Sequence, residues 1–448
     1  MTAISTAADQ SVAQPAAPLS APPIAPSAGA SVARASSSAD SAAPFQWPEE
    51  GLSRIPFQVY NDPVIADAEQ KRLFRGPIWN LVCLDVEIPQ PGDYRTNVIG
   101  DTPVVAIRGT DGIIRVFVNR CAHRGSMLCL DKSGNRKDFT CIYHNWVYDL
   151  EGALQSVAFR RGIRGQGGLP DDFDPAKHGL TRLRVDTIGA LVFASFSESV
   201  IPLREWLGDR MAWNVDRIFA KPVRILGGYT QVMHNNWKLY IENVKDAYHA
   251  GLLHLFFTRF GLNRLSMDGA VEVSERGGHH LSWSKMHSDD ASGTEYADGK
   301  LRSMKDFDLE DKRMLRSWVE YPDGITHMIQ TIFPNVIIQQ IQNSLAVRLL
   351  VPHGTDQCEL QWWLIGYESD TEAQMATRLL QGNLVGPAGL VSLEDGVIGS
   401  IVQRTTLQDK DRAGVVEMGG HGTDSQKGRV SEAGVRGFWK EWRQVLGL

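Results

Sequence analysis

Two short segments constrain this chain more than anything else in it: Cys121-Ala122-His123-Arg124-Gly125 and Cys141-Ile142-Tyr143-His144. Each offers one thiol and one imidazole, as C-x-H and then C-x2-H, with seventeen residues (124–140) between the halves. That spacing lets each half occupy its own loop tip, so the fold must bring two loops together around one centre. A structural zinc site uses the same ligand types, but zinc fingers carry their cysteines as one pair and their histidines as another. Here each half is mixed. A [2Fe–2S] cluster with two thiolates on one iron and two imidazoles on the other is served by one ligand of each kind per loop. The pattern points to a carrier of single electrons.

The flanks extend the pattern. Arg124-Gly125 follows the first half, and Asn145-Trp146-x-Tyr148-Asp149-Leu150-x-Gly152 follows the second. This stretch resembles the Rieske domain of aromatic ring-hydroxylating oxygenases. The resemblance implies that Cys121 and Cys141 hold one iron of a Rieske [2Fe–2S] cluster, and His123 and His144 the other. Cys83, Cys129 and Cys358 are then left over, and read as small buried hydrophobes. Five cysteines in 448 residues are not a disulfide framework, which suits a reducing cytoplasm. A net charge of −6 without a basic run argues against a nucleic-acid partner. No apolar stretch has the length to span a bilayer.

Residues 1–45 are a different material, dominated by Ala, Ser and Pro, with only Asp9, Arg34 and Asp40 charged. Such a segment cannot bury enough surface to offset its ordering entropy and is expected to be disordered. It lacks the basic start and compact apolar core of a secretory signal. Residues 46–77 read as an N-terminal helical segment packing on the catalytic domain, with a helix over 63–74. Runs at 79–88, 104–109 and 113–119, parted by Pro, Gly and Asp turns, predict strands of a small all-β domain over 78–185. The run 191–196 reads as a strand leaving it, and 186–448 as a second domain mixing helices and strands.

A second cluster of chemistry lies in Asn236–His254. It reads as a Pro-free helix with Glu242, Asp246 and His249 at i, i+4 and i+7, on one face. His249 and His254 are five apart, about 140° on a regular helix. They can meet one metal only if the helix loosens or ends near Gly251. Taken alone the pair is ambiguous. A stored electron needs a destination, however, and two histidines with one carboxylate form the usual non-haem Fe(II) site for oxygen activation.

The string Glu242-Asn243-x-x-Asp246-Ala247-Tyr248-His249-x4-His254 closely resembles the mononuclear iron motif of the same oxygenases. By resemblance His249 and His254 ligate iron, Asp246 bridges from a Rieske histidine of a neighbouring subunit to His249, and Asn243 stands close to the metal. Asp246, one turn before His249, is also placed to accept its imidazole N–H. The third ligand is expected at Asp395, in Ser392-Leu393-Glu394-Asp395-Gly396, with Glu394 as the fallback. A competing reading makes Ser392-x-x-Asp395 a capping box for a helix starting at 393.

The resemblance covers residues 46–448 and rests on three ordered motifs. What the resemblance implies is an α+β protein: an all-β Rieske domain joined to a helix-grip (START-like) catalytic domain with an antiparallel sheet. It also implies a trimeric ring (α3), often with a small β subunit (α3β3), and a reductase with or without a ferredoxin that passes on electrons from NADH. Such an enzyme uses O2 to mono- or cis-dihydroxylate an aromatic ring. Phe159-Arg160-Arg161-Gly162, Gly386-Pro387-Ala388-Gly389 and Glu417-Met418-Gly419-Gly420-His421 resemble the salicylate, anthranilate and halobenzoate hydroxylating group. A small aromatic carboxylate is the implied substrate, and a buried carboxylate needs a charged or hydrogen-bonding partner. Gln339, Gln340, Gln342 and Arg259 are the candidates. An O- or N-demethylating Rieske monooxygenase and a pure electron-transfer protein are the alternative functions.

Overall fold

In the computed structural model, residues 45–286 and 312–448 are described. The disorder expected of residues 1–45 therefore falls, but for Phe45, outside them. Two antiparallel sheets organise the chain.

The first sheet has seven strands: β1 (Asn80–Leu84), β2 (Asp93–Ile99), β3 (Thr102–Arg108), β4 (Ile114–Val118), β5 (Ser133–Asn135), β6 (Arg182–Ile188) and β7 (Leu191–Ser195). Their order is β1-β7-β6-β4-β3-β2-β5. β7 pairs with both β6 and β1. The strand expected to leave this sheet is thus one of its inner members, and the sheet runs to Ser195 rather than stopping at 185. Leu191–Ser195, apolar but for its last residue, is buried along its whole length, which an inner strand requires and an exit strand does not. A three-stranded ribbon (Phe139–Thr140, Val147–Tyr148, Leu154–Ser156) carries the second Cys/His loop. Phe117, Leu128, Phe139, Trp146, Tyr148 and Leu150 form the core beneath both loops, and Cys121 and Cys141 are buried at its edge.

The second sheet has eight strands: β8 (Val223–Met233), β9 (Gly269–Val273), β10 (His280–Ser284), β11 (His327–Ile332), β12 (Val336–Ile341), β13 (Ser344–His353), β14 (Gln357–Tyr367) and β15 (Gln426–Lys427). Their order is β8-β14-β13-β12-β11-β10-β9-β15. Six helices matter for the site: α1 (Trp237–Lys245), α2 (Ala250–Leu253), α3 (Leu255–Arg259), α4 (Glu372–Val385), α5 (Val391–Thr406) and α6 (Ala433–Leu446). α1 packs across β10, β11, β13 and β14, and against α5 and α6. Among the described residues no helix is long and apolar enough to cross a membrane.

The N-terminal segment is tied into this second layer. Arg54–Pro56 pairs with Ala413–Val415, and the helix expected over 63–74 forms, its second half as π-helical turns. Buried Glu69 accepts hydrogen bonds from Trp237 Nε1 (3.1 Å) and Trp442 Nε1 (2.8 Å) and pairs with Lys238 Nζ at 2.8 Å. A buried ion pair is stable only when its remaining polar atoms are also satisfied. Here the two indoles complete it at the start of α1.

Candidate active site

The two Cys/His loops repeat one backbone device. In the first, Cys121 N–H donates to Ser126 O (2.8 Å) and Gly125 N–H donates to Cys121 O (3.0 Å). In the second, Cys141 N–H donates to Trp146 O (2.9 Å) and Asn145 N–H to Cys141 O (3.0 Å). The fifth residue of each loop turns through positive φ, Gly125 at +75° and Asn145 at +51°. Glycine is free to do so, and Asn is among the few other residues that tolerate it. The turns bring His123 and His144 to a ring separation of 4.6 Å. His123 also stacks on Trp146 at 4.8 Å. Both thiols are buried, whereas His123 is exposed and His144 half-buried. His144 Nδ1 is buried without a hydrogen-bond partner. Tyr148 Oη lies 3.2 Å from Cys121 Sγ. Two sheltered thiols below two outward imidazoles is the donor set a Rieske cluster needs.

In the second domain, Asn236 caps α1 by accepting from Lys238 N–H. The helix ends at Lys245, earlier than the expected break near Gly251. Asp246 leaves helical geometry (φ −88°, ψ 87°), and its Oδ1 accepts from the backbone of Tyr248 (2.9 Å) and His249 (3.3 Å). A short carboxylate competing for backbone donors is a recognised helix breaker. Gly251 lies inside α2, and a second break falls at His254 (φ −85°, ψ 76°). The expected common face of Glu242, Asp246 and His249 is lost with the helix. Glu242 instead accepts hydrogen bonds from Tyr60 Oη (2.8 Å) and Trp439 Nε1, on the side of the N-terminal segment and α6.

These breaks swing His249 and His254 together. Their Nε2 atoms stand 3.3 Å apart, and Asp395 Oδ1 is 3.5 Å from the first and 3.2 Å from the second. Such a triangle accommodates one first-row ion at about 2.1 Å from each corner. Asp395 Oδ1 is buried and makes no well-formed hydrogen bond, so a lone-pair acceptor converges with two ring nitrogens. Electrostatics point the same way. Burial alone would push the Asp395 carboxyl up, yet the two imidazoles hold it well below its usual range. Burial likewise pulls His249 down, but Asp246 and Asp395 outweigh it and carry it up to about 10. The pocket calls for positive charge, and the donor set fits a divalent ion.

Asp395 sits within α5, whose N-terminus has no side-chain cap, so the capping-box reading of Ser392 and Asp395 does not apply. Ser392 bonds instead to Gln231 Oε1 (2.9 Å) and to Tyr240 Oη (3.1 Å). The chain enters α5 past Gly389, where a Cβ would stand 2.1 Å from Asn383 O, so only glycine passes. Glu394, the fallback ligand, is engaged elsewhere: its Oε2 lies 2.7 Å from His254 Nδ1, on the ring edge away from the triangle. Asp246 Oδ2 is 3.7 Å from His249 Nδ1, beyond hydrogen-bond reach.

A cavity opens on the triangle. Asn243 lines it with an unpartnered buried Oδ1. Of the residues expected to meet a carboxylate, Gln339 lines the cavity. Gln340 donates to Ile325 O (2.9 Å), Gln342 occupies a turn at φ +54°, and neither they nor Arg259 are among the lining residues. The sequence reading missed Arg348, His327 and Arg429, which also line it. Arg348 had a visible signal: it is the single charge in the apolar run Leu345–Pro352.

Two families match the chain. Residues 78–164 match the Rieske [2Fe-2S] domain, and residues 208–448 match the ring hydroxylating alpha subunit (catalytic domain). The chain belongs to the ring-hydroxylating oxygenase alpha subunits. This oxygenase is 47% identical to terephthalate 1,2-dioxygenase terminal oxygenase component subunit alpha 2 of Comamonas sp., over 90% of its own length and 97% of the relative's. It is 43% identical to the anthranilate 1,2-dioxygenase large subunit of Burkholderia cepacia (92% and 97% covered). Identity is 40% to the salicylate 5-hydroxylase large oxygenase component of Ralstonia sp. (90% and 96%). Its fold is similar to that of naphthalene 1,2-dioxygenase from Rhodococcus sp., with a TM-score of 0.74 at 21% identity, covering 88% and 94% of the two chains. The oxygenase is therefore an oxidoreductase that carries a Rieske [2Fe–2S] cluster and a mononuclear iron. As a terminal component it acts on an aromatic substrate with electrons from a reductase or ferredoxin.

Proposed function

We propose that this oxygenase hydroxylates a small aromatic carboxylate, with His249, His254 and Asp395 holding its iron and Cys121, His123, Cys141 and His144 its cluster. The observation that carries the reading is the triangle of two Nε2 atoms and one carboxylate oxygen at the floor of a largely apolar cavity. Three relatives at 40% identity or more, whose names specify terephthalate, anthranilate and salicylate, support a carboxylated ring. Bound iron at a site with open positions supplies oxygen activation, and the cluster supplies the second source of electrons.

The chain's own residues set the conditions. Phe257, Ile329, Ile341, Val385 and Val391 give the cavity apolar walls that hold a ring and exclude water. Glu394 accepts a hydrogen bond from the Nδ1–H of His254, which holds the proton on that edge and leaves the Nε2 lone pair aimed at the point it shares with Asp395 and His249. Asn243 offers a polar atom beside them. Asp246, with 23% of its side chain exposed, lines the cavity beside His249. On the second loop Ile142 and Tyr143 are exposed, the Tyr143 ring 3.8 Å from that of His144, and they form an apolar rim beside the half-buried imidazole. Such a rim fits docking on another copy, in which His144 of one chain faces Asp246 of the next. Repeated around a closed ring, such contacts suit the trimer implied by the resemblance (α3, or α3β3 with a small β subunit), and five cysteines without a disulfide fit the cytoplasm.

The test is a substrate panel. The holoenzyme, with a reductase and NADH, is offered salicylate, anthranilate, terephthalate and benzoate, and products are read by mass spectrometry under 18O2. Labelled hydroxylated carboxylates are expected. Labelled product from neutral hydrocarbons alone, or demethylation of methoxy and methylamino substrates without ring oxidation, would refute the proposal.

A further inference from the structure

One motif of the sequence has no place in the catalytic site: Phe159-Arg160-Arg161-Gly162. It opens a closed arm of backbone on the cluster domain. Gly162 N–H donates to Phe159 O (2.8 Å), Ile163 and Gln166 exchange both backbone hydrogen bonds (3.0 and 3.1 Å), and Leu169 N–H donates to Arg160 O (2.8 Å). The arm is well built, yet it buries almost nothing. Phe159 is 71% exposed and Ile163 58%, and Arg160, Arg161 and Arg164 are exposed beside them. Phe159 stands at φ +56° and Arg164 at φ +53°, where a side chain is disfavoured and a bulky one is a true outlier. Strain of this kind gathers where a conformation serves binding rather than packing.

The arm is coupled to one of the two cluster imidazoles. His123 stacks on Trp146 with the rings 4° from parallel, and Trp146 meets Phe173 edge-on at 5.8 Å. Arg160 covers that same Phe173, its Cζ 5.8 Å from the ring centre and its Nη2 donating to Phe173 O (3.3 Å). His144 leads elsewhere, to the ring of Tyr143 on its own loop. A centre that takes an electron from one protein and passes it to another needs two faces, because a face closed against a neighbouring copy is shut to a donor. His144 and Tyr143 are the face read above as meeting the next copy. His123 and the arm are left for the other.

Charge distinguishes the partner. Residues 120–164, which hold both cluster loops and the arm, carry eight Arg and Lys against four Asp and Glu, in a chain whose net charge is −6. Asp171 and Asp172, exposed on the returning limb, offset part of that excess. Aromatic and arginine side chains together are typical of the centre of a protein interface, and a positive rim steers an acidic partner toward it.

We propose that the arm, residues 158–168, is the docking surface for the protein that reduces the cluster, which meets it with an acidic face. Phe159 and Ile163 supply the apolar contact, Arg161 and Arg164 the steering charge, and Arg160 fixes the arm relative to His123. The inference rests on the reading that the His144 edge faces another copy.

The test measures docking apart from turnover. The probe is the purified reductase or ferredoxin that directly supports NADH-driven turnover of the wild-type protein. Its association with the holoprotein is followed by biolayer interferometry at low and at high salt, and reduction of the cluster by anaerobic stopped-flow absorbance. In Arg161→Glu/Arg164→Glu the association rate at low salt is expected to fall at least about 10-fold, and the gap to narrow at high salt, where charge is screened. Phe159→Ser keeps the charge and is expected to raise the dissociation rate instead. The Rieske visible spectrum and the oligomeric state by light scattering stay as in the wild type. A donor that binds all three proteins alike overturns the proposal. So does a variant that no longer assembles, which makes the arm part of the contact between copies. If the double reversal does not keep its cluster, Arg161→Gln/Arg164→Gln decides by the same comparison: slower association supports the proposal and an unchanged rate overturns it. A wild-type protein that is monomeric in solution overturns the reading of the His144 edge and this proposal with it, whereas an assembled protein whose donor ignores the arm sinks only the role of the arm.

Discussion

Two adjacent acids, Glu394 and Asp395, reach His254 from opposite ring edges, and exchanging them one at a time separates their work. Glu394 Oε2 is 2.7 Å from His254 Nδ1; the imidazole side chain is 3% exposed and the carboxylate 32%. A charge-assisted hydrogen bond contributes about 1.5–3 kcal/mol. Solvent screening of the partly exposed acid reduces that to about 1–2 kcal/mol. Glu394→Ala also frees the ring to rotate or to place its proton on Nε2, where it would face Asp395 instead of a metal. The expected loss of iron affinity is thus roughly 5- to 30-fold, at the lower end of what outer partners of metal-bound histidines usually contribute. Glu394→Gln keeps an acceptor at the same reach and should lose less. Asp395→Asn removes a corner of the triangle and should lose far more. Anaerobic competition with a chromophoric Fe(II) chelator reads the affinity, and the Rieske absorption serves as an internal check of folding. An affinity unchanged in Glu394→Ala, or lowered as much as in Asp395→Asn, would refute the division of labour.

Two further outcomes are expected. Tyr148→Phe removes the hydroxyl 3.2 Å from Cys121 Sγ; losing one donor to a cluster sulfur should lower the one-electron potential by up to about 60 mV, and spectroelectrochemical titration showing no shift or a rise would count against that contact. Glu242 is pushed up by burial to about 7, Tyr60 and Trp439 opposing only in part. The folded chain therefore holds this proton more tightly than the unfolded one, and its stability should fall as pH rises from the usual value of 4.5 toward 7. Glu242→Gln should flatten that slope in chemical denaturation, and an unchanged slope would assign it to another group.

Much of the site was legible because its pieces are local. The mixed Cys/His halves carry their turn residues with them, Gly125 and Asn145 in matching places, so sequence spacing alone describes two like loops. The break in the metal-bearing helix was legible only as a need. Its position was not, because Asp246 was read for its side-chain chemistry while its Oδ1 works as a backbone cap. The seven-stranded sheet was cut short at 185 for a related reason. An apolar run such as Leu191–Ser195 looks the same whether it leaves a sheet or lies within one, and only its pairing with β1 decides.

By itself, then, the sequence determined the ligand types, the two redox centres and the family, because these depend on residues within a few positions of one another. Tertiary structure decided what depends on distant segments meeting. It brought Asp395 to the histidines, turned Glu394 to the far edge of His254, and placed Glu242 against Tyr60 and Trp439. It also made Arg348 part of the cavity through the register of three neighbouring strands. A one-dimensional pattern records which groups are available. Which buried charges end up satisfied, and which are left facing a cavity, is fixed only when sheet and helices close around them.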